Sequence, residues 1–175
     1  LEVAKRINER LVTQLLYLPE EDFLNFAKKV FETNQKKLIP QITSLLANLN
    51  TPAAIQLLEQ GHSLVGLPFT RMWCTLSLYQ LSNQDSYEQL LYSFVNTYQS
   101  QELLQLRPPP QRVLHLSINY QDLSVDEKTS LLMATYQALA SSQSPQSIDI
   151  LLKAMIHGNP NNRYALAGLL LLATD

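Results

Sequence analysis

Residues 51–81, TPAAIQLLEQGHSLVGLPFTRMWCTLSLYQL, and residues 144–173, SPQSIDILLKAMIHGNPNNRYALAGLLLLA, are two versions of one pattern. Each opens with a hydroxyl residue before a proline, Thr51-Pro52 and Ser144-Pro145. That pair is the signature of a side-chain N-cap followed by proline at the first helical position, where the missing N–H has no intrahelical partner in any case. Apolar residues then fall alike, Ile55, Leu57 and Leu58 in the first copy and Ile148, Ile150 and Leu151 in the second. Both copies close on G-x-P-x-x-R, as Gly66-Leu67-Pro68-Phe69-Thr70-Arg71 and Gly158-Asn159-Pro160-Asn161-Asn162-Arg163. Two coincidences at an offset of about 92 residues indicate an internal repeat. A third P-x-x-R lies between them at Pro109 and Arg112, 41 residues after the first and 51 before the last. Half the offset, roughly 46 residues, is the length of a two-helix repeat unit.

Outward from these copies the apolar spacing stays helical. Ala4, Ile7, Leu11, Leu15 and Leu18 recur at three or four residues and predict a first amphipathic helix that Pro19 ends. Glu20, Glu21 and Asp22 suit the positive end of a second helix, whose stripe is Phe23, Phe26, Ala27, Val30 and Phe31. Asn34 and Gln35 read as a turn. A third helix buries Leu38, Ile39, Ile42, Leu45, Leu46 and Leu49, with Pro40 confined to its first turn. Asp85 or Ser86 is the expected cap of a helix carrying Leu90, Leu91, Phe94, Val95 and Tyr98, and Ser124 with Glu127 forms a capping box before Leu131, Leu132, Tyr136 and Leu139. Residues 109–122 are ambiguous: Leu114, Leu116, Ile118 and Tyr120 alternate as in a strand, while the repeat register favours a helix. A lone strand would lack a partner, so the helix is preferred.

A helix, a turn with Gly and Pro, then a second helix opening near an Arg and continuing in small and apolar residues resembles a HEAT repeat, including the degenerate HEAT-like repeats of the phycobilin-lyase type. The resemblance rests on residues 51–81 and 144–173, about a third of the chain. Leu67 and Asn159 stand near the place where the family frequently carries Asp. The fold it implies is an all-α α-solenoid of antiparallel helix pairs, a HEAT-like superhelix of nine or ten helices. The role it implies is that of a binding scaffold, expected to mediate protein–protein interaction through its curved surface, or else a regulatory or accessory module of a larger, lyase-like enzyme.

Packing leads the same way without the family. After Pro68, one stripe is Phe69, Met72, Leu76 and Tyr79, and a second on the opposite side is Cys74, Leu78 and Leu81. Such a helix needs cover on two sides, as inside a stack of repeats. Residues 164–173 are apolar nearly all round and also call for cover, which is expected from a continuation of the native protein. Residues 1–175 are therefore expected to be a single helical repeat domain cut from a longer chain.

Leucine makes up about a fifth of the 175 residues and there are only four glycines, a composition for helices. Acids outnumber bases by 15 to 13, which argues against a nucleic-acid partner, since phosphate neutralisation needs a basic face. No apolar run approaches the roughly 18 residues of a membrane span. A single cysteine, Cys74, and no secretory h-region lead to a cytoplasmic expectation. From Leu38 to Leu106 the only basic residue is Arg71, and Gln, Asn, Ser and Thr fill the polar positions.

No catalytic, cofactor or metal constellation emerges. His62, His115 and His157 lack a second ligand type at i+3 or i+4, and no phosphate-cradling glycine loop or nucleophile elbow is present. His62 and His157 close first helices of the repeats, where a cation would complement the dipole. Cys74, among Met72, Trp73 and Leu76, reads as a core thiol. What remains is recognition of a protein or peptide, with Arg71, Tyr92, Tyr98, Tyr136, Arg163 and Tyr164 as candidate contact residues, since Tyr and Arg are the favoured anchors of interfaces.

Overall fold

The helix boundaries fall where the punctuation sets them. A computed structural model describes residues 14–15, 17–99, 123–157 and 162–174, with residues 97–99 in backbone only. Among the described residues there are eight helices and no strand: α1 (Glu20–Glu32), α2 (Ile39–Leu49), α3 (Pro52–His62), α4 (Pro68–Ser82), α5 (Asp85–Gln99), α6 (Val125–Ala140), α7 (Pro145–His157) and α8 (Arg163–Thr174). The helix expected over residues 1–18 falls largely outside the described residues, as do residues 109–122 and His115.

The two proline-led starts have the same bonding. At α3 the Ala54 N–H donates to Thr51 Oγ1 (3.3 Å) and the Ile55 N–H to the Thr51 carbonyl (2.9 Å). At α7 the Ser147 N–H donates to Ser144 Oγ (3.1 Å) and the Ile148 N–H to the Ser144 carbonyl (3.1 Å). The capping box before α6 is complete in both directions: the Glu127 N–H donates to Ser124 Oγ at 3.2 Å, and the Ser124 N–H to Glu127 Oε2 at 2.9 Å. Helix α5 departs slightly from expectation. It begins at Asp85, with the N–H groups of Tyr87 and Glu88 donating to the Gln84 carbonyl, so Asp85 and Ser86 lie in the first turn.

A chain poor in glycine must end its helices otherwise. Asn34, Asn50, Asn83 and Gln143 take the left-handed conformation, with φ near 50° at each. After α1 the Gln35 N–H reaches back to the Val30 carbonyl and the Asn34 N–H to the Phe31 carbonyl, which is the Schellman arrangement with asparagine in place of glycine.

The chain divides into two compact units, Leu1–Leu81 and Ser82–Asp175. In the first, α1, α2 and α3 pack on one another, burying Phe23, Phe31, Ile39, Ile42, Leu46 and Leu58. The C-terminal end of α3 also meets α4: His62 Nδ1 lies 2.8 Å from Thr75 Oγ1, and Gly61 faces Cys74 and Phe31 so closely that a Cβ there would overlap Cys74 Sγ. Both apolar stripes of α4 are covered. Nine of its fifteen residues are buried, including Phe69, Met72, Leu76 and Tyr79 on one side and Cys74 and Leu78 on the other.

In the second unit α6 packs on α5, α7 and α8, and α7 and α8 form the closest pair. Its core holds Leu91, Phe94, Leu131, Tyr136, Leu139 and Leu151. A cluster of hydroxyls ties α5 to the start of α7. Tyr92 Oη donates to Glu88 Oε1 (2.8 Å), and Ser142 Oγ donates to the Leu139 carbonyl (2.7 Å). Those two protons being committed, the Ser144 hydroxyl is left to donate into Tyr92 (2.9 Å), and the single Ser147 proton goes either to Tyr92 (3.0 Å) or to Ser142 (2.8 Å).

Candidate interaction surface

The residues that could carry chemistry are enclosed or dispersed. Cys74 is completely buried on α4, and burial pushes its thiol far above the ordinary range, so it is present as the inert protonated form. His62 ends α3 half-buried. Thr75 spends its hydroxyl proton on the Arg71 carbonyl (2.7 Å), so its oxygen accepts from His62 Nδ1–H and the ring carries its proton on Nδ1. Desolvation, and then the Arg71 guanidinium, lower the His62 pKa, with Glu59 opposing them. The expected role of His62 as a cation at the helix terminus is therefore corrected: at neutral pH it is an uncharged link between α3 and α4. His157 ends α7 in an exposed position. Among the described residues no group of three His, Cys, Asp or Glu side chains is placed to hold a metal ion.

An apolar cleft in the first unit is lined by Leu15, Leu18, Phe23, Leu45 and Leu49, with Glu20 at its edge accepting from Thr51 Oγ1 at 2.6 Å. Its volume of about 90 Å³ is well short of the roughly 300–1,000 Å³ of small-molecule sites.

The six candidate contact residues separate by environment. Tyr92 and Tyr136 lie inside the second unit, not on its surface, and this corrects their reading as anchors. Tyr92 is held by its serine cluster, and burial raises the pKa of both phenols. Tyr136 occupies the apolar stripe of its helix, and a stripe position outranks the polar tip in deciding direction, whereas Tyr92 flanks its stripe and is enclosed by the start of α7. Arg71 is half-buried on α4, its Nε enclosed and without a hydrogen-bond partner among the described residues. The Tyr98 side chain lies outside the description. Among those whose side chains are described, Arg163 and Tyr164 are the exposed ones, side by side at the start of α8.

Tyr164 belongs to a larger apolar exposure that single-residue reasoning missed. It is 91% exposed, and Leu171 (66%) and Leu172 (50%) follow it on α8. At about 100° per residue these three, with exposed Gly168, centre opposite the line of Leu166 and Ala173 that faces the core. On the adjoining α7, Leu152 and Ile156 (57%) are exposed one turn apart, beside the Lys153–Asp149 ion pair (2.6 Å). A helix of a monomeric domain normally turns polar residues outward, so these apolar side chains opposite the buried line are the feature that sets this surface apart. The signal was legible in the run of four leucines at 169–172, which no single amphipathic face can bury.

Comparison with protein-family models, with curated proteins and with solved structures finds no match. Fold and surface together define an all-helical protein with no described helix long and apolar enough to cross a membrane.

Proposed function

We propose that this chain is a non-catalytic binding module, a segment of HEAT-like α-solenoid that docks protein surfaces against its helices. The observation that carries the reading is the apolar outer face of α8, where Tyr164, Leu171 and Leu172 are exposed opposite the core-facing line. The matching cap bonds of α3 and α7 support the repeat. The two covered stripes of α4 support stacking, since a helix sandwiched between neighbours is the normal state inside a solenoid. On this reading α4 and α8 are corresponding second helices, and the partner supplies to α8 the cover that α4 already has. That partner is a helix with its own apolar stripe, since a surface with a single charged residue on α8, Arg163, offers contact area and little long-range steering. The cytoplasm, as a reducing compartment, is the proposed setting, consistent with an unpaired Cys74.

A photo-crosslinking amino acid at position 164, with one at exposed Gln60 as the control, tests this in the cell that makes the protein. A discrete protein adduct at 164, absent at 60 and lost when Leu171→Glu is added, is the expected result. No adduct at 164, with turnover of a small molecule by the purified chain, refutes the proposal.

A further inference from the structure

We infer that the partner of the α8 face is a second copy of this chain, joined through an antiparallel α8–α8 pair whose twofold axis passes at Gly168; this rests on the docking reading above and names its partner. The ridge is symmetric about that glycine. Tyr164 lies four residues before it, and Leu171 and Leu172 three and four residues after. In an antiparallel pair a residue k places before the axis meets the residue k places after it on the other helix. Tyr164 of each copy then lies against Leu172 and Leu171 of the other, and the two Gly168 backbones cross. Such an isologous contact closes on itself and leaves no half-used surface.

Gly168 gives independent support. Among the described residues a Cβ built there would meet nothing within 4 Å, so packing against them gives no reason for glycine, and its φ is not in the left-handed region. Glycine in a helix interior weakens that helix relative to alanine. At a helix crossing the same missing side chain lets two backbones approach closely, as small residues do in tightly packed helix pairs.

Charge and area agree. Arg163, the single charged residue of α8, lies five residues from the axis. Its symmetry mate is thus about 15 Å away along an antiparallel pair, beyond the roughly 8 Å screening length of physiological salt. A parallel pair would set the two guanidinium groups side by side. The three large side chains expose on the order of 400 Å², as large as the main apolar patch of a typical monomer. Two copies cover about 800 Å² through them alone. That is below the roughly 1,200 Å² at which standard specific interfaces begin, so the pair belongs to the weak, transient class.

Sedimentation equilibrium of the full 175-residue chain, from low to high micromolar, decides the matter, with far-UV circular dichroism as the check on folding. A monomer–dimer equilibrium is expected. Leu171→Glu should abolish it and Tyr164→Ser should weaken it at least tenfold, both with unchanged helicity. Gly168→Ala is the sharper variant: it should weaken dimerisation about tenfold while raising the thermal midpoint of the dilute monomer. A dimer indifferent to all three variants overturns the α8 pairing, as does a chain monomeric at every concentration. If that monomer still forms a crosslink from position 164 to a different protein, the twofold fails and the docking surface stands; if it forms none, both fail.

Discussion

Gly61 sits on α3 where a Cβ would overlap Cys74 Sγ and come within 3.2 and 3.3 Å of Phe31 Cε2 and Cδ2. Gly61→Ala therefore sets two effects against each other. Helix propensity favours alanine by about 1 kcal/mol, somewhat less this close to the end of the helix. Forcing a methyl group into a filled core costs about 1–3 kcal/mol, and neither Cys74 nor Phe31 has room to retreat, both being buried. A net loss of about 1–2 kcal/mol is expected. Removing the sulfur isolates the cause. In a Cys74→Ala background only the Phe31 contacts remain, which a shift of a few tenths of an ångström relieves, so Gly61→Ala should there be neutral or slightly stabilising. The two substitutions should couple favourably by about 1–2 kcal/mol, in the range seen for residues in direct contact. Trp73 is the single tryptophan and adjoins Cys74, so its fluorescence during urea unfolding reports on this unit. Additivity within about 0.5 kcal/mol, or a Gly61→Ala protein more stable than its parent, would refute the close approach of α3 to α4.

Two other substitutions probe the polar links. Tyr92→Phe deletes the hydroxyl that bonds Glu88, Ser144 and Ser147, leaving buried Ser147 with one partner fewer; a loss of about 1–3 kcal/mol is expected in urea unfolding followed by circular dichroism, and an unchanged midpoint would show that the cluster does not hold α5 to α7. For His62 the folded-state pKa is lowered, so below the unfolded value of about 6.5 the unfolded chain binds the extra proton more readily. The stability this residue contributes is present above pH 6.5 and is lost as pH falls through the lower folded pKa. His62→Gln, which retains an N–H donor for Thr75, should flatten that part of the stability–pH curve measured by Trp73 fluorescence, and an unaltered slope would assign it to other groups.

Much of the helical layout was readable because its determinants are local. Thr51-Pro52, Ser144-Pro145 and the Ser124–Glu127 box each specify a helix start through bonds spanning three residues, and all three occur as the spacing requires. The Asn34-Gln35 turn is local in the same sense. Tyr92 and His62 were misread because their environments come from elsewhere in the chain. Tyr92 finds its serines more than fifty residues away, and His62 loses its charge to burial and to Arg71 on the next helix. Residue type suggested an exposed anchor and a terminal cation; long-range packing decided otherwise.

The two copies of G-x-P-x-x-R show the same division most clearly. After the first, α4 starts at Pro68, with the Arg71 N–H donating to the Leu67 carbonyl at 2.9 Å, so the arginine is the fourth helical residue and half-buried. After the second, α8 starts at Arg163 itself, and the arginine is exposed. A shift of three residues in where the helix begins thus accompanies opposite surroundings for the same motif. The two helices also share a composition rich in apolar residues, yet α4 buries nine of fifteen and α8 only two of twelve. Nothing in the helices' own sequences makes that difference, since each carries enough apolar surface for cover on two sides. What differs is the supply of neighbours. An apolar helix surplus to its unit's own core is therefore the place to look for a partner, and α8 is the described helix in which that surplus faces solvent.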